Sequence, residues 1–109
     1  MPSYNVDGYS LRIWSSRATT NLSPGTAVAG IYLYEGTKYR GYAYFFPDGT
    51  PLAPAVLDSV NGRVYVHFNL SQFHAVMEML RTESPIFVYF VSPTNAALRS
   101  GKEPTGEEE

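Results

Sequence analysis

Alternating apolar and polar residues predict four strands in the first two thirds of the chain. In the first of them Tyr9, Leu11 and Ile13 share one face. Their spacing of two residues is the period of a half-buried strand. The later strands repeat this pattern with Val, Ile and Tyr, the residues that best fit a pleated surface. The four expected strands cover residues 9–14, 28–34, 39–46 and 63–68.

Turn chemistry separates these strands. Residues 15–25 are small and polar and end in Pro-Gly, so they predict a loop. Residues 35–38 contain Gly and predict a hairpin turn, and Pro-Asp-Gly at 47–49 ends the third strand because Pro pre-sets φ and Gly permits a positive φ. Two further prolines make 50–61 a predicted loop, with a short edge segment at 55–57.

The hydrophobic period changes after the fourth strand. Apolar residues then recur at helical spacing, which predicts an amphipathic helix over 71–82. Asn69 or Ser71 can cap its start, and Pro85 ends it. Residues 86–91 are apolar on both faces, which is typical of a central strand covered on both sides, and the tail after it can add a short strand at 96–99.

The order strand, strand, strand, strand, helix, strand predicts an α+β fold. We expect two layers, a mostly antiparallel twisted sheet of about five strands with one amphipathic helix on one face. One domain is expected over 1–101 and a flexible acidic tail over 102–109. The residues expected to face the helix are Ala29, Ile31, Leu33, Tyr39, Gly41, Ala43, Phe45, Val64, Val66 and Phe68. The opposite face is expected to carry Arg12, Trp14, Tyr32, Tyr34, Arg40, Tyr42, Tyr44, Phe46, Arg63, Tyr65 and His67.

Composition narrows the class of protein. The chain of 109 residues is 44% hydrophobic and 17% charged, as in a folded domain, and it has no Cys, which excludes disulfides and thiolate metal sites. The first ten residues resemble no signal peptide, and no apolar run approaches the ~20 residues of a membrane helix. We therefore expect a cytoplasmic protein, and the lack of Cys suits a bacterial one.

Charge is unevenly distributed along the chain. Residues 1–101 hold seven Lys or Arg against six Asp or Glu, whereas four Glu fall within the last seven residues. A body that is close to neutral does not predict strong phosphate binding, although it allows a local basic patch. The acidic tail is interpreted as a solubilising end, or alternatively as a mobile competitor for a basic face.

Catalytic and metal-binding signatures are absent from the sequence. His67 and His74 are the only histidines, and they lie on different predicted elements, so they do not form the ligand cluster that a metal requires. The chain contains no nucleophile elbow, phosphate-binding loop or dinucleotide fingerprint. We therefore expect a binding protein without enzymatic activity, metal or cofactor.

The ring-rich outer face is the strongest functional candidate, and three interpretations are open. The rings can be covered by the loop at 50–61 or by the terminal segments. They can form a self-association surface, since aromatic residues are enriched at interfaces. They can also stack on the bases of single-stranded nucleic acid, with Arg12, Lys38, Arg40 and Arg63 as cations. The predicted binding residues are Trp14, Tyr32, Tyr34, Arg40, Tyr42, Tyr44, Arg63 and Tyr65.

The junction between the fourth strand and the helix resembles a known group of folds. Gly62 to Phe68 followed by Leu70-Ser71-Gln72-Phe73 is similar to the strand-to-helix junction of the single-stranded-DNA-binding coactivator and Whirly group, over roughly residues 28–80. The lysine-rich strands of that group are absent, and the strand at 86–91 is additional. The resemblance implies a homodimer that binds single-stranded nucleic acid on its sheet face. The residues to which that role would carry over are Arg40, Tyr42, Tyr44, Arg63 and Tyr65.

Overall fold

Strand formation follows the alternation of the sequence in the computed structural model, which describes residues 2–15 and 27–101. The described residues form eight strands and one α-helix. The strands are β1 (Ser3–Val6), β2 (Gly8–Ile13), β3 (Ala29–Glu35), β4 (Lys38–Phe46), β5 (Val56–Asp58), β6 (Arg63–Asn69), β7 (Ile86–Ser92) and β8 (Asn95–Ser100), and the helix is α1 (Phe73–Thr82). The loop predicted for 15–25, apart from Ser15, and the tail at 102–109 lie outside the described residues.

Five strands form the first sheet, in the order β2-β3-β4-β6-β5. The predicted hairpin between β3 and β4 is confirmed, with Gly36 at φ 62° in its turn. Strands β4 and β6 run parallel, so residues 47–62 cross back along the sheet and supply β5 at its edge on the way. The short edge segment predicted at 55–57 is thereby confirmed within one residue.

The remaining strands form a second, three-stranded sheet in the order β1-β7-β8. The prediction of one sheet was therefore wrong, although the α+β class and the single helix are confirmed for the part of the chain that is described. The pattern at 86–91 correctly identified a central strand, because β7 pairs on both sides. It could not identify the sheet, since a strand that is apolar on both faces fits the middle of either one.

The core lies between the two sheets, and α1 packs against it. Ile31, Leu33, Phe45 and Val64 of the first sheet and Val88 of the second are all inaccessible to solvent. The second sheet, rather than the helix alone, thus covers the predicted aliphatic face. On α1 only Val76 is buried, while Phe73, Met77, Met79 and Leu80 pack against the core with part of their surface exposed.

The start of the helix is hydrogen-bonded to the end of β6 and to the turn that follows β4. A 3-10 turn at Leu70–Gln72 precedes α1, so the helix begins two residues later than predicted. The backbone N–H of Asn69 donates to Oε1 of Gln72 at 3.2 Å, and that of Ser71 donates to Oδ1 of Asp48 at 3.0 Å. These bonds satisfy amide groups that a helix start leaves without internal partners.

Candidate functional site

The outer face of the five-stranded sheet carries a continuous set of aromatic rings, which we call the ring face. Its positions alternate with the buried core positions of β3, β4 and β6, so that Tyr32 lies between the inaccessible Ile31 and Leu33. Trp14 joins the set just beyond the end of β2. The ring face consists of Trp14, Tyr32, Tyr34, Tyr39, Tyr42, Tyr44, Tyr65 and His67, together with Arg12 and Arg63.

The rings contact one another across the strands. Tyr42 and Tyr44 are stacked, with centroids 3.8 Å apart and planes inclined by 18°. Tyr42 also contacts Tyr65 at 4.6 Å, and Tyr44 meets the ring of Trp14 edge-on at 5.6 Å. Each such pair is worth about 0.5–1.5 kcal/mol beyond its buried area. The ring face is therefore an ordered surface, whose rings already support each other before any ligand arrives.

Gly30 gives the rings room to lie close to the sheet. A Cβ atom at this position would come within 3.0 Å of ring atoms of both Trp14 and Tyr44. These distances are shorter than ordinary van der Waals contacts, so a side chain here would push one of the two rings outward. A glycine in the middle of a strand is otherwise unfavourable, and here it permits a close approach.

Burial affects the acidity of two phenol groups on the ring face. Burial raises the pKa of Tyr39, and the neighbouring hydroxyl of Tyr65 adds to that rise. Burial likewise raises the pKa of Tyr42. The hydroxyls of Tyr32 and Tyr44 lie 3.2 Å apart, within hydrogen-bond distance. Tyr39 and Tyr42 thus offer neutral hydroxyl groups rather than phenolate charges.

Two arginines lie on the ring face. The guanidinium carbon of Arg12 is 5.0 Å from the ring centroid of Tyr32, and that of Arg63 is 4.8 Å from the ring centroid of Tyr39. Both distances are typical of cation–π pairs. In the described part of β2, β3, β4 and β6, the outward positions hold no carboxylate. Asp58 of β5 lies opposite Arg63 across the strand ladder, at the rim of the ring face. The pKa of Asp58 is lowered, mainly by hydrogen bonds from Asn61.

A bulge in β4 moves two residues to faces that alternation did not predict. Leu33 lies opposite Gly41, whereas Tyr34 lies opposite Tyr39, so Arg40 is an extra residue without a partner across the ladder. Gly41 has φ 125°, and a Cβ atom there would collide with the carbonyl oxygen of Val64. As a result Tyr39 lies on the ring face, and its predicted place in the core was wrong.

Arg40 leaves the ring face for the same reason, so its predicted place on the outer face beside the other predicted binding residues was wrong. Its Nη2 donates to Oε1 of Glu35 at 2.8 Å, and its Nη1 donates to the carbonyl oxygen of Gly62 at 3.0 Å. Its guanidinium also lies 4.7 Å from the ring centroid of Tyr4 in β1. Arg40 therefore joins the two sheets and is only 14% exposed.

The structure brings together the other seven predicted binding residues and adds Arg12, Tyr39 and His67. Trp14, Tyr32, Tyr34, Tyr42, Tyr44, Arg63 and Tyr65 form one connected surface, which Tyr39 completes. The sequence signal for Tyr39 was the glycine at position 41, since glycine inside a strand often marks a bulge.

The loop predicted to cover the rings contacts the ring face at one end. Nδ1 of His67 is 3.1 Å from the carbonyl oxygen of Ala53. Burial lowers the pKa of His67, and hydrogen bonds to the carbonyls of Ala53 and Pro54 partly oppose that effect.

Across residues 2–15 and 27–101, no three His, Asp or Glu side chains come together as a metal site, and none of the helices has the length and apolar character of a membrane span.

Comparisons with known proteins return no relative of this chain. No protein-family model matches it, and no curated protein or solved structure does so either. The resemblance to the Whirly group consequently stays a hypothesis, and any function must be argued from the ring face itself.

Proposed function

We propose that the ring face binds single-stranded nucleic acid with little sequence preference and without catalysis. The observation that carries the proposal is a connected surface of eight rings with two arginines lying on it and no carboxylate at its outward positions in β2, β3, β4 and β6. Aromatic side chains stack on any base, and arginine adds phosphate contacts. A cytoplasmic, bacterial setting belongs to the same proposal.

The placement of the cations suits a strand that crosses the sheet. Arg12 lies in β2 and Arg63 in β6, and the two strands are separated by β3 and β4. Three inter-strand spacings separate the two strands by about 14 Å, and Arg63 lies four residues from His67, which is in register with Arg12, so the two Cα atoms are about 20 Å apart on a diagonal. A single-stranded ligand lying across the sheet meets an arginine on each side and rings in between.

The contacts within the ring face define how bases can bind. Tyr42 contacts Tyr44 on one side and Tyr65 on the other, so a base cannot insert between these three rings. Bases instead stack on the exposed parts of the ring face. The hydroxyls of Tyr39 and Tyr42 donate to phosphate or base oxygens, and burial keeps both groups protonated by raising their pKa.

With only two arginines, electrostatics predict modest affinity and a shallow salt dependence. Each phosphate neutralised on a single strand contributes about −0.7 to the slope of log K against log salt concentration. Two arginines therefore predict a slope of about −1.4. A much steeper slope would place the ligand on other cations.

The proposal is tested by fluorescence anisotropy with a labelled oligothymidine at low salt. Replacing Tyr42→Ala together with Tyr44→Ala should weaken binding at least ~10-fold, because stacking on one ring is worth about 1–3 kcal/mol. The matched control is Phe87→Ala with Tyr89→Ala, which removes two half-buried rings from the outer face of the second sheet. Both variants are first checked for folding by thermal melting.

Two outcomes contradict nucleic-acid binding at the ring face. One is no binding by the wild type at low salt. The other is an equal loss of binding in the two double variants. The alternative from the sequence, a homo-oligomeric interaction module of unknown pathway that associates through these rings, is favoured if light scattering shows that Tyr42→Ala with Tyr44→Ala lowers the molecular mass of the particle.

A further inference from the structure

The outer edge of β2 has main-chain groups that no described strand pairs with. Within the described residues, β2 pairs with β3 on one side and with no strand on the other. The backbone N–H of Trp14 donates to the carbonyl of Val28, and this bond identifies Ile13 and Ala29 as a pair that does not exchange hydrogen bonds. Because hydrogen-bonding residues alternate along a strand, Tyr9, Leu11 and Ile13 all direct their N–H and C=O groups away from β3.

The same three residues expose apolar side chains. Tyr9 is 37%, Leu11 41% and Ile13 70% exposed, although the residues opposite them in β3 are almost inaccessible. All three side chains lie on the core side of the sheet. Ile13 also borders an apolar hollow, which Leu70 and Phe73 line on the helix side.

Within the described residues, the edge of β2 lacks the usual protection against pairing. Natural edge strands carry Lys, Pro or a bulge that blocks a second strand. Strand β2, with the sequence GYSLRI, contains neither Lys nor Pro, and its one charged residue, Arg12, lies over the ring of Tyr32. The edge is thus six residues long and presents both hydrogen-bonding groups and apolar surface.

We propose that β2 pairs antiparallel with β2 of a second copy of this chain, about a twofold axis at Leu11. In this register Leu11 faces Leu11 of the other copy, and Tyr9 faces Ile13. All three outward-directed residues then exchange main-chain hydrogen bonds, roughly six in total. The apolar side chains of both copies meet on the core side of the joined sheet.

Charge favours this register over its neighbours. Moving the axis to Arg12 would set Arg12 opposite Arg12 of the second copy, and like charges directly opposite are destabilising. Moving it to Ser10 would leave Ile13 without a partner on the exposed edge. With the axis at Leu11, each Arg12 faces Ser10, so the self-complementary arrangement separates the charges and uses the whole strand.

Pairing at β2 would join the two five-stranded sheets into one of ten strands. A twofold axis normal to the sheet keeps both ring faces on the same side, with Arg12 and Trp14 of each copy next to the joint. The pairing itself does not depend on nucleic-acid binding. Its test therefore uses protein alone, and either proposal can fail without the other.

Cysteine cross-linking tests the register directly, because the chain contains no native Cys. In the proposed pair, the two Leu11 Cα atoms lie about 5.5 Å apart, within the range that a disulfide spans. The Leu11→Cys variant should therefore form a covalent dimer under mild oxidation. Tyr9→Cys should not, since its two copies would be about 14 Å apart. An equimolar mixture of Tyr9→Cys and Ile13→Cys should cross-link as a heterodimer. Equal cross-linking of Leu11→Cys and Tyr9→Cys alone would overturn the register.

Sedimentation tests the association without cross-linking. Edge pairing buries little surface, so we expect a reversible dimer with a dissociation constant in the micromolar range or weaker. Ile13→Lys should shift the protein to monomer, whereas Val60→Lys, at an equally aliphatic position that is 92% exposed between β5 and β6, should not. A wild-type monomer at the highest soluble concentration, or a dimer unaffected by Ile13→Lys, would contradict the proposal.

Discussion

The outer faces of the two sheets contain similar residues but differ in how those residues are connected. On the second sheet Phe87 and Tyr89 are half-buried, and Arg99 lies 4.6 Å from the ring centroid of Phe87, as an arginine does on the ring face. The cross-strand neighbours of these two rings are, however, mostly small or polar residues. They are Ser3, Asn5, Ala97 and Arg99. Rings on the first sheet continue over three adjacent strands.

The difference shows that continuity, rather than aromatic content, separates a candidate binding surface from an ordinary outer face. Two rings on a single strand offer a ligand one or two contacts. Rings at matching positions of β3, β4 and β6 offer a surface as wide as the sheet, since strands lie about 4.8 Å apart. The following experiments remove the features that produce this continuity.

The largest effect is expected from Gly41→Ala. The change places a Cβ at φ 125° and against the carbonyl oxygen of Val64, so it should lower the free energy of unfolding by about 3 kcal/mol. The control is Gly36→Ala, where φ is also positive but no atom lies within 4 Å, and where about 1 kcal/mol is expected. Urea denaturation measures both. Equal losses would mean that the bulge is not a special constraint.

A smaller effect is expected from Gly30→Ala. The added methyl group should displace Trp14 or Tyr44 and cost about 1 kcal/mol through overpacking. Because Trp14 is the only tryptophan, its fluorescence emission reports the displacement directly. Gly8→Ala is the matched control, since the nearest atom to its added Cβ is 4.0 Å away. Unchanged emission in Gly30→Ala would show that the rings do not depend on this close approach.

The smallest effect is expected from single arginine replacements. Arg63→Gln should reduce the magnitude of the salt slope of oligonucleotide binding by about 0.7, because one phosphate contact is lost. Arg99→Gln removes the comparable arginine of the second sheet and should leave the slope unchanged. Titrations at several salt concentrations measure both slopes. If Arg99→Gln has the same effect as Arg63→Gln, the two faces do not differ in binding.

Much of the fold could be predicted from local periodicity. The alternation of β3, β4 and β6 and the helical spacing of α1 each follow from one face that packs on the core, so the pattern is present in the residues themselves. Strand β2 alternates as well, although its apolar side chains are exposed. β1 was missed, because its four residues, SYNV, hold a single fully buried side chain and show little alternation. The division into two sheets could not be predicted, since it depends on which strands pair across long sequence separations.

The candidate site shows the same limit at the scale of one residue. The pleat assigned Tyr42, Tyr44 and Tyr65 to the outer face, and the structure agrees. It failed for Tyr39 and Arg40, because strict alternation assumes that every residue has a partner and a bulge inserts one that does not. Gly41 was visible in the sequence, but its positive φ and its close approach to the carbonyl of Val64 are seen only in the structure.

The bulge also changes what can be altered by protein engineering. Across most of a strand, exchanging one side chain for another changes a surface while the neighbouring residues keep their faces. At Arg40 and Gly41 the extra residue in the strand, rather than the residue type, decides the direction of the neighbouring side chains. It directs Arg40 to Tyr4 and Glu35 and Tyr39 to the ring face. Deleting one residue of β4 at this point would therefore move the residues at the start of the strand to the opposite face of the sheet, and it would do so without introducing a new side chain.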